Sequence, residues 1–288
     1  MVAEAIVERV IGANGCILKP IGIRRLSPSV RLRAVAQRLQ VLLEEAVELA
    51  ERAGTLTLSY FDKPDLRVDA KPDGTEVTNA DRGAESLIRD HILEHYPHDS
   101  ILGEEHGTVD GSSGRTWIVD PIDGTFGFVR GVPLYSTLIA VVDEVGPAVG
   151  VIHLPALSQT VGAARGEGCW FDSMRCSVGG RATVDGALIC SSDWGAASDQ
   201  QLLSLKHAGA HMRTWGDAYG YAMVAAGKAE AMVDPICSTW DLAPIPVIIH
   251  EAGGTFSSLE GDPGFDCGNG VATNGVIHDE LLGLIGFR

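Results

Sequence analysis

Asp120 and Asp123 stand on either side of Pro121-Ile122 at the end of an apolar run, Trp117-Ile118-Val119, and are followed at once by Gly124 and Thr125. Pro121 withdraws a backbone donor and favours a turn, so the two carboxylates and the Ile122 carbonyl can be aimed into one volume. Hard oxygen donors gathered in this way suit Mg²⁺. Gly124 lets a backbone approach a ligand closely, and a helix beginning near Thr125 would turn its unpaired amides toward a phosphate. One short segment thus carries both partners of metal-assisted phosphoryl chemistry.

Further acids extend the pattern. Glu104 and Glu105 end the short apolar run Ile101-Leu102-Gly103, and Asp241 lies in Thr239-Trp240-Asp241-Leu242-Ala243, a segment that closes on Glu251-Ala252-Gly253-Gly254-Thr255. With these three ordered motifs the chain resembles, from about Leu39 to its C-terminus, the inositol monophosphatase family of magnesium-dependent, lithium-sensitive sugar and polyol phosphatases. Phe128-Val129-Arg130-Gly131 and the stretch Arg213 to Tyr221 make it most similar to the histidinol-phosphate phosphatase branch of that family. The resemblance implies an α+β fold, the five-layer αβαβα sandwich. It also implies two or three Mg²⁺ ions, a small phosphorylated metabolite as substrate and a homodimer. Histidinol phosphate is the favoured substrate, with inositol 1-phosphate or a range of sugar phosphates as the alternative, and a catalytically silent metal-binding scaffold as the reading from a different class.

Carried over residue by residue, the resemblance makes Glu104, Asp120 and the Ile122 carbonyl a first metal site, and Asp120, Asp123 and Asp241 a second that shares Asp120. Asp81 and Thr125 become the pair that orients and deprotonates the attacking water, with Glu104 beside them in the catalytic set. The amides of Gly124 and Thr125 hold the phosphate, while Gly216, Asp217 and Asp234 line the leaving-group pocket. Asp217 lies between Trp215 and Tyr219, where a carboxylate beside aromatic surface can bind an organic cation. Asp81 also fits a plain helix-cap acid, and Glu105 is open between an orienting role and a surface acid. Lys71 reads as a solvated loop lysine. His91, His95 and His98 have no converging Cys or acid, so they read as a solvated helix end and not as a zinc site.

The elements that must position these residues follow from periodicity. Leu39, Leu42, Leu43, Ala46, Leu49, Ala50 and Ala53 mark a first helix. Thr78 with Asp81 three residues on opens a second, whose apolar face is Ala84, Leu87, Ile88 and Ile92. Strands are expected over 117–119, 136–142 and 149–153, and a break at Gly179-Gly180 separates a second half of alternating runs, 187–190, 219–226, 231–233 and 247–252. The expected units are therefore 1–38, an extension, then 39–180 and 181–288. Two departures from the family pattern stand out: Gly127, in place of a polar residue, suggests a looser loop, and Pro246 suggests a late or bent helix after Asp241.

An apolar fraction of 45% argues for a packed chain, and a net charge of −16 disfavours nucleic acid without excluding a phosphorylated substrate, since a bound cation reverses the local sign. Six cysteines without CxxC spacing and without a secretory leader point to a reducing cytoplasm. No run is long enough to span a bilayer.

Overall fold

The computed structural model describes residues 28–72 and 74–286, with side chains from residue 37 onward. Residues 1–27 of the extension lie outside them. The helix read from Leu39 begins earlier, as α1 (Pro28–Tyr60); a proline suits a first turn, where its missing N–H costs nothing. A hairpin, β1 (Val68–Ala70) and β2 (Glu76–Thr78), leads into α2 (Asn79–His95), then β3 (Ser100–Gly103), β4 (Gly107–Val109), β5 (Thr116–Asp123) and a single turn, α3 (Thr125–Phe128). Next come β6 (Ser136–Asp143), β7 (Gly146–Leu154), β8 (Gln159–Ala164), β9 (Gly168–Phe171) and β10 (Met174–Cys176). The remainder is β11 (Leu188–Cys190), α4 (Asp199–His207), β12 (His211–Arg213), α5 (Asp217–Ala225), β13 (Ala231–Asp234), α6 (Thr239–Leu242), α7 (Ile245–Glu251), β14 (Thr255–Ser257), β15 (Gly270–Thr273) and α8 (His278–Ile285).

Eight strands form one sheet in the order β10-β9-β8-β7-β6-β5-β3-β4, and five form another in the order β12-β11-β13-β15-β14. Helices α1 and α2 cover one face of the first sheet, where Leu42, Ala46, Leu49, Ile88 and Ile92 pack on Trp117, Ile139 and Val151. On its other face Ile152 and Val161 meet Tyr221 of α5, Ile245 and Ile248 of α7, and Met232 and Ala272 of the second sheet. The far face of that second sheet carries Ile189, Val233 and Val271 against Leu205 of α4 and Leu281 of α8. Helix, sheet, helix, sheet and helix make the five layers. Sheets covered on both faces explain why β6 reads as an apolar run without alternation.

Pro246 does not displace Asp241. The chain solves the problem by splitting the helix into α6 and α7, with Pro244 as the cap of α7 and Pro246 in its first turn, where the lost amide has no partner to lose. The reading of His91 as part of a solvated helix end is corrected: its side chain is 13% exposed, its Nε2 lies 2.6 Å from Glu45 Oε1 of α1, and its ring stacks on His95 at 4.2 Å.

Candidate active site

In a regular strand residues three apart point to opposite faces, which would separate Asp120 from Asp123. The strand does not stop at Val119 as the proline suggested; it continues to Asp123 with a bulge. Asp120 pairs with Leu138 but Asp123 with Ser136, so one extra residue on β5 faces β6. Pro121, lacking a donor, is tolerated there, and its carbonyl accepts from Thr137 Oγ1 at 2.9 Å. The bulge brings both carboxylates to one side. Each spends one oxygen locally: Asp120 Oδ1 accepts the Ile122 amide at 3.0 Å, and Asp123 Oδ2 accepts Ser136 Oγ at 2.8 Å and the Ala218 amide at 2.7 Å.

Parallel pairing of β3 with β5, Gly103 opposite Val119, places Glu104 next to Asp120, and the Glu104 amide donates to the Val119 carbonyl at 3.3 Å. The Glu104 carboxylate itself is engaged by Lys71, whose Nζ lies 2.6 Å from Glu104 and 2.8 Å from Glu105. This corrects the reading of Lys71 as solvated: its side chain is 19% exposed. Burial works to lower its pKa, but the two glutamates hold the ammonium above its ordinary range. Glu105 is likewise not a surface acid, with its side chain 6% exposed. Beneath the loop Glu85 of α2, fully buried, accepts the Glu105 amide at 2.7 Å and the His106 amide at 3.1 Å and is balanced by Arg89. The sequence carried a signal for this support in the Glu85/Arg89 pair, four residues apart on the helix face that also bears Ile88 and Ile92.

Asp81 and Asp241 occupy equivalent places. Each is the third residue of its helix and part of the cap: Asp81 Oδ2 accepts the amide and hydroxyl of Thr78, whose Oγ1 in turn accepts the Asp81 amide at 3.3 Å, and Asp241 Oδ2 accepts the Ser238 amide at 2.7 Å. Capping uses one oxygen and freezes the rotamer, leaving the other for chemistry. Asp81 Oδ1 faces Thr125 Oγ1 at 3.3 Å, and that hydroxyl also donates to the Ile122 carbonyl at 2.9 Å. The cap reading and the functional reading of Asp81 are therefore compatible.

Ligand oxygens of Asp120, Asp123 and Asp241 all lie within 4.8 Å of one another. Burial, then the charges of Glu104, Asp123 and Asp241, push Asp120 well above the ordinary carboxylate range, and burial with Asp217 and Asp241 does the same to Asp123. Burial raises Asp81 and Asp241 to about 6. Such a set fits a hard divalent cation, since every donor is an oxygen and the crowded charge is what a cation offsets.

The second half of the chain closes the site. Gly124 takes a left-handed conformation, φ 84°, and a Cβ there would lie 2.7 Å from Asp217 Oδ2, so only glycine lets that carboxylate stand over the metal loop. The α3 ladder begins with the Gly127 and Phe128 amides donating to the Gly124 carbonyl, which leaves the Gly124 and Thr125 amides out of it. Gly127 is thus part of a formed turn. Asp217 is itself at φ 53° and its amide donates to Ser192 Oγ at 2.7 Å. Gly216 is glycine because a Cβ would meet Ser192 Cα at 2.3 Å. Asp234 lies under this layer, 2% exposed, with Oδ1 accepting the Ser192 amide at 3.1 Å and burial raising it to about 7. It holds the Ser192 loop and offers little surface to a ligand. Ser192 was not singled out in the sequence, where nothing distinguishes it from other loop serines.

The inositol monophosphatase family's sequence model matches residues 38–285. The chain belongs to this family. Among its relatives, the histidinol-phosphatase of Mycobacterium tuberculosis is 42% identical over 247 residues, covering 82% of this chain and 95% of that one. The inositol-1-monophosphatase of Mesorhizobium japonicum is 34% identical over 251 residues, covering 84% and 94%. Among solved structures the Thermotoga maritima IMPase superposes with a TM-score of 0.77 at 30% identity, covering 84% of this chain and 95% of that one. The family is metal-dependent, in keeping with the acid cluster. Among the described residues no helix is long and apolar enough to cross a membrane.

A pH dependence follows. Carboxylates raised in the folded state bind protons that the unfolded chain has released, so their contribution to stability is full below the ordinary carboxylate pKa and is lost as pH rises through about 6 for Asp81 and Asp241. Metal-free protein in chelator should therefore melt at progressively lower temperature between pH ~4 and ~6, each proton costing about 1.4 kcal/mol per unit. Added Mg²⁺ should shrink the slope. A flat or rising midpoint in chelator would show that the acid cluster is already compensated within the protein.

Proposed function

We propose that this chain hydrolyses histidinol phosphate, with Mg²⁺ held by Asp120, Asp123, Asp241, Glu104 and the Ile122 carbonyl. That it is a phosphoric monoester hydrolase follows from its family and from relatives of that activity. The substrate rests on one observation above others: the Asp217 carboxylate stands over Gly124, beside the loop that receives the phosphate, where an ammonium-bearing leaving group gains a charge-assisted hydrogen bond. The curated relatives named histidinol-phosphatase, at 42%, 39% and 40% identity, support the same reading.

When bound, Mg²⁺ supplies charge neutralisation at the phosphate and a lowered pKa for water. The remaining work falls to the protein. The Gly124 and Thr125 amides hold a phosphate oxygen. Thr125 Oγ1, anchored between the Ile122 carbonyl and Asp81 Oδ1, accepts the proton of the attacking water as it passes its own to Asp81. Asp81, raised to about 6 by burial, is a better proton acceptor than an ordinary aspartate. Thr78 keeps it oriented through the cap.

The competing reading is action on inositol 1-phosphate or many sugar phosphates, which the Mesorhizobium relative favours. A silent scaffold is disfavoured by the Asp81–Thr125 contact, which a structural cation site does not need. Histidinol carries an ammonium and an imidazole, and inositol carries no charge. With each charge-assisted hydrogen bond contributing about 1.5–3 kcal/mol, kcat/KM for histidinol phosphate should exceed that for inositol 1-phosphate at least ~10-fold. Asp217→Asn should narrow that gap by impairing the cationic substrate. Equal kcat/KM values in the unmodified enzyme would reject the assignment in favour of broad specificity.

A further inference from the structure

Two cysteines with no part in hydrolysis face each other at the edge of the eight-stranded sheet. Cys169 on β9 and Cys176 on β10 are direct register partners, and their sulfurs lie 3.4 Å apart as free thiols. Cys169 is fully buried in the apolar cluster that joins the two sheets, whereas Cys176 is half-buried on the edge strand. We propose that this pair is a redox modification site, closing to an intrachain disulfide in thiol–disulfide exchange with a small-molecule disulfide.

The backbone already meets the requirement. Directly opposed residues of an antiparallel pair have Cα atoms roughly 4.5–5.5 Å apart, inside the window a disulfide needs, so rotation of the side chains brings the sulfurs to bonding distance. The hairpin is also held from three sides. Its turn residue Asp172 accepts the Thr160 amide at 2.9 Å and donates its own to the Thr160 carbonyl at 2.7 Å. The Glu251 carboxylate accepts the Gly166 and Gly168 amides, both at 2.7 Å, and beyond Cys176 the Val178 amide donates to the Ala252 carbonyl at 3.0 Å. These ties hold the backbone of β10 against that of β9, so the two cysteines stay opposed.

The order of events follows from accessibility. Cys176, which the neighbouring Cys169 thiol brings below the ordinary thiol range, can be reached from solvent; Cys169, raised by that same contact and by burial, cannot. The Cys176 thiolate attacks one sulfur of the small disulfide, forming a mixed disulfide and releasing one thiolate. Cys169 then loses its proton to that thiolate and attacks the Cys176 sulfur, and the second small thiolate leaves and takes up a proton from water. Two protein thiols are oxidised by two electrons, and one small disulfide is reduced to two thiols.

The test uses the folded full chain. It is incubated with excess oxidised glutathione, free thiols are alkylated, and the digest is read by mass spectrometry. The expected product is a peptide linked between Cys169 and Cys176, two hydrogens lighter than the reduced pair and lost on treatment with dithiothreitol. Cys169→Ser should trap one glutathione on Cys176, and Cys176→Ser should leave Cys169 reduced. Retained phosphatase turnover identifies each variant as folded; Cys169→Ala replaces Cys169→Ser if the latter is not. Glutathione remaining on Cys176 in the unmodified chain with no 169–176 link would overturn the proposal. So would modification confined to the exposed Cys267, or ready modification of Cys169 in Cys176→Ser.

Discussion

Asp120→Asn should lower turnover by about 10³-fold or more and, at the same time, raise the melting temperature of the metal-free protein. Asp120 is 2% exposed and shares its surroundings with Glu104, Asp123 and Asp241. Its charge is useful only to a cation. A 10³-fold loss corresponds to about 4 kcal/mol of barrier lowering, in the range for a charge that positions and balances catalytic metal. In chelator the same charge is a burden, because burial and three neighbouring acids oppose it, and each pKa unit of that opposition is about 1.4 kcal/mol. Asn keeps the volume, and its side-chain oxygen can still accept the Ile122 amide. Initial rates at saturating Mg²⁺ and thermal melts in chelator check the two halves separately. Retention of more than about a tenth of the rate would remove Asp120 from the ligand position shared by both metal sites.

Thr125→Ala should lower kcat by about 10² with a much smaller change in Mg²⁺ affinity, the pattern of a lost proton relay and not of a lost ligand. The hydroxyl touches Asp81 and the Ile122 carbonyl but neither Asp120 nor Asp123 in the hydrogen-bond network. Removing it leaves the bulge intact. Steady-state rates over a Mg²⁺ titration separate the possibilities. If saturating Mg²⁺ restores kcat while the metal requirement rises steeply, Thr125 supports the metal site through Ile122, and the relay is wrong.

Much of the site was legible because it depends on local chemistry. Acids at strand ends, a glycine before a hydroxyl and the Thr78-x-x-Asp81 cap are all written in consecutive residues. The same cap grammar stands at Ser238-x-x-Asp241, and it explains why two closely following prolines leave Asp241 in place. Lys71 could not be placed from its own neighbourhood, since the glutamates that hold it lie 33 and 34 residues away, on the loop after β3.

The sequence by itself determined which groups could do the chemistry and the order in which strands and helices present them, because periodicity, caps and breakers act over a few residues. Only the tertiary structure decided their convergence. The bulge on β5 exists because β6 pairs on either side of it, and it alone turns Asp120 and Asp123 to one side. Parallel pairing with β3 sets Glu104 beside them. The packing of Ser192 against Gly216 swings Asp217 over Gly124 from the far half of the chain. It also assigns Asp234, which in sequence looks like one more pocket acid, to the layer beneath. Contacts between residues this far apart in the chain leave no pattern in either segment, since each side satisfies its local rules with or without the other.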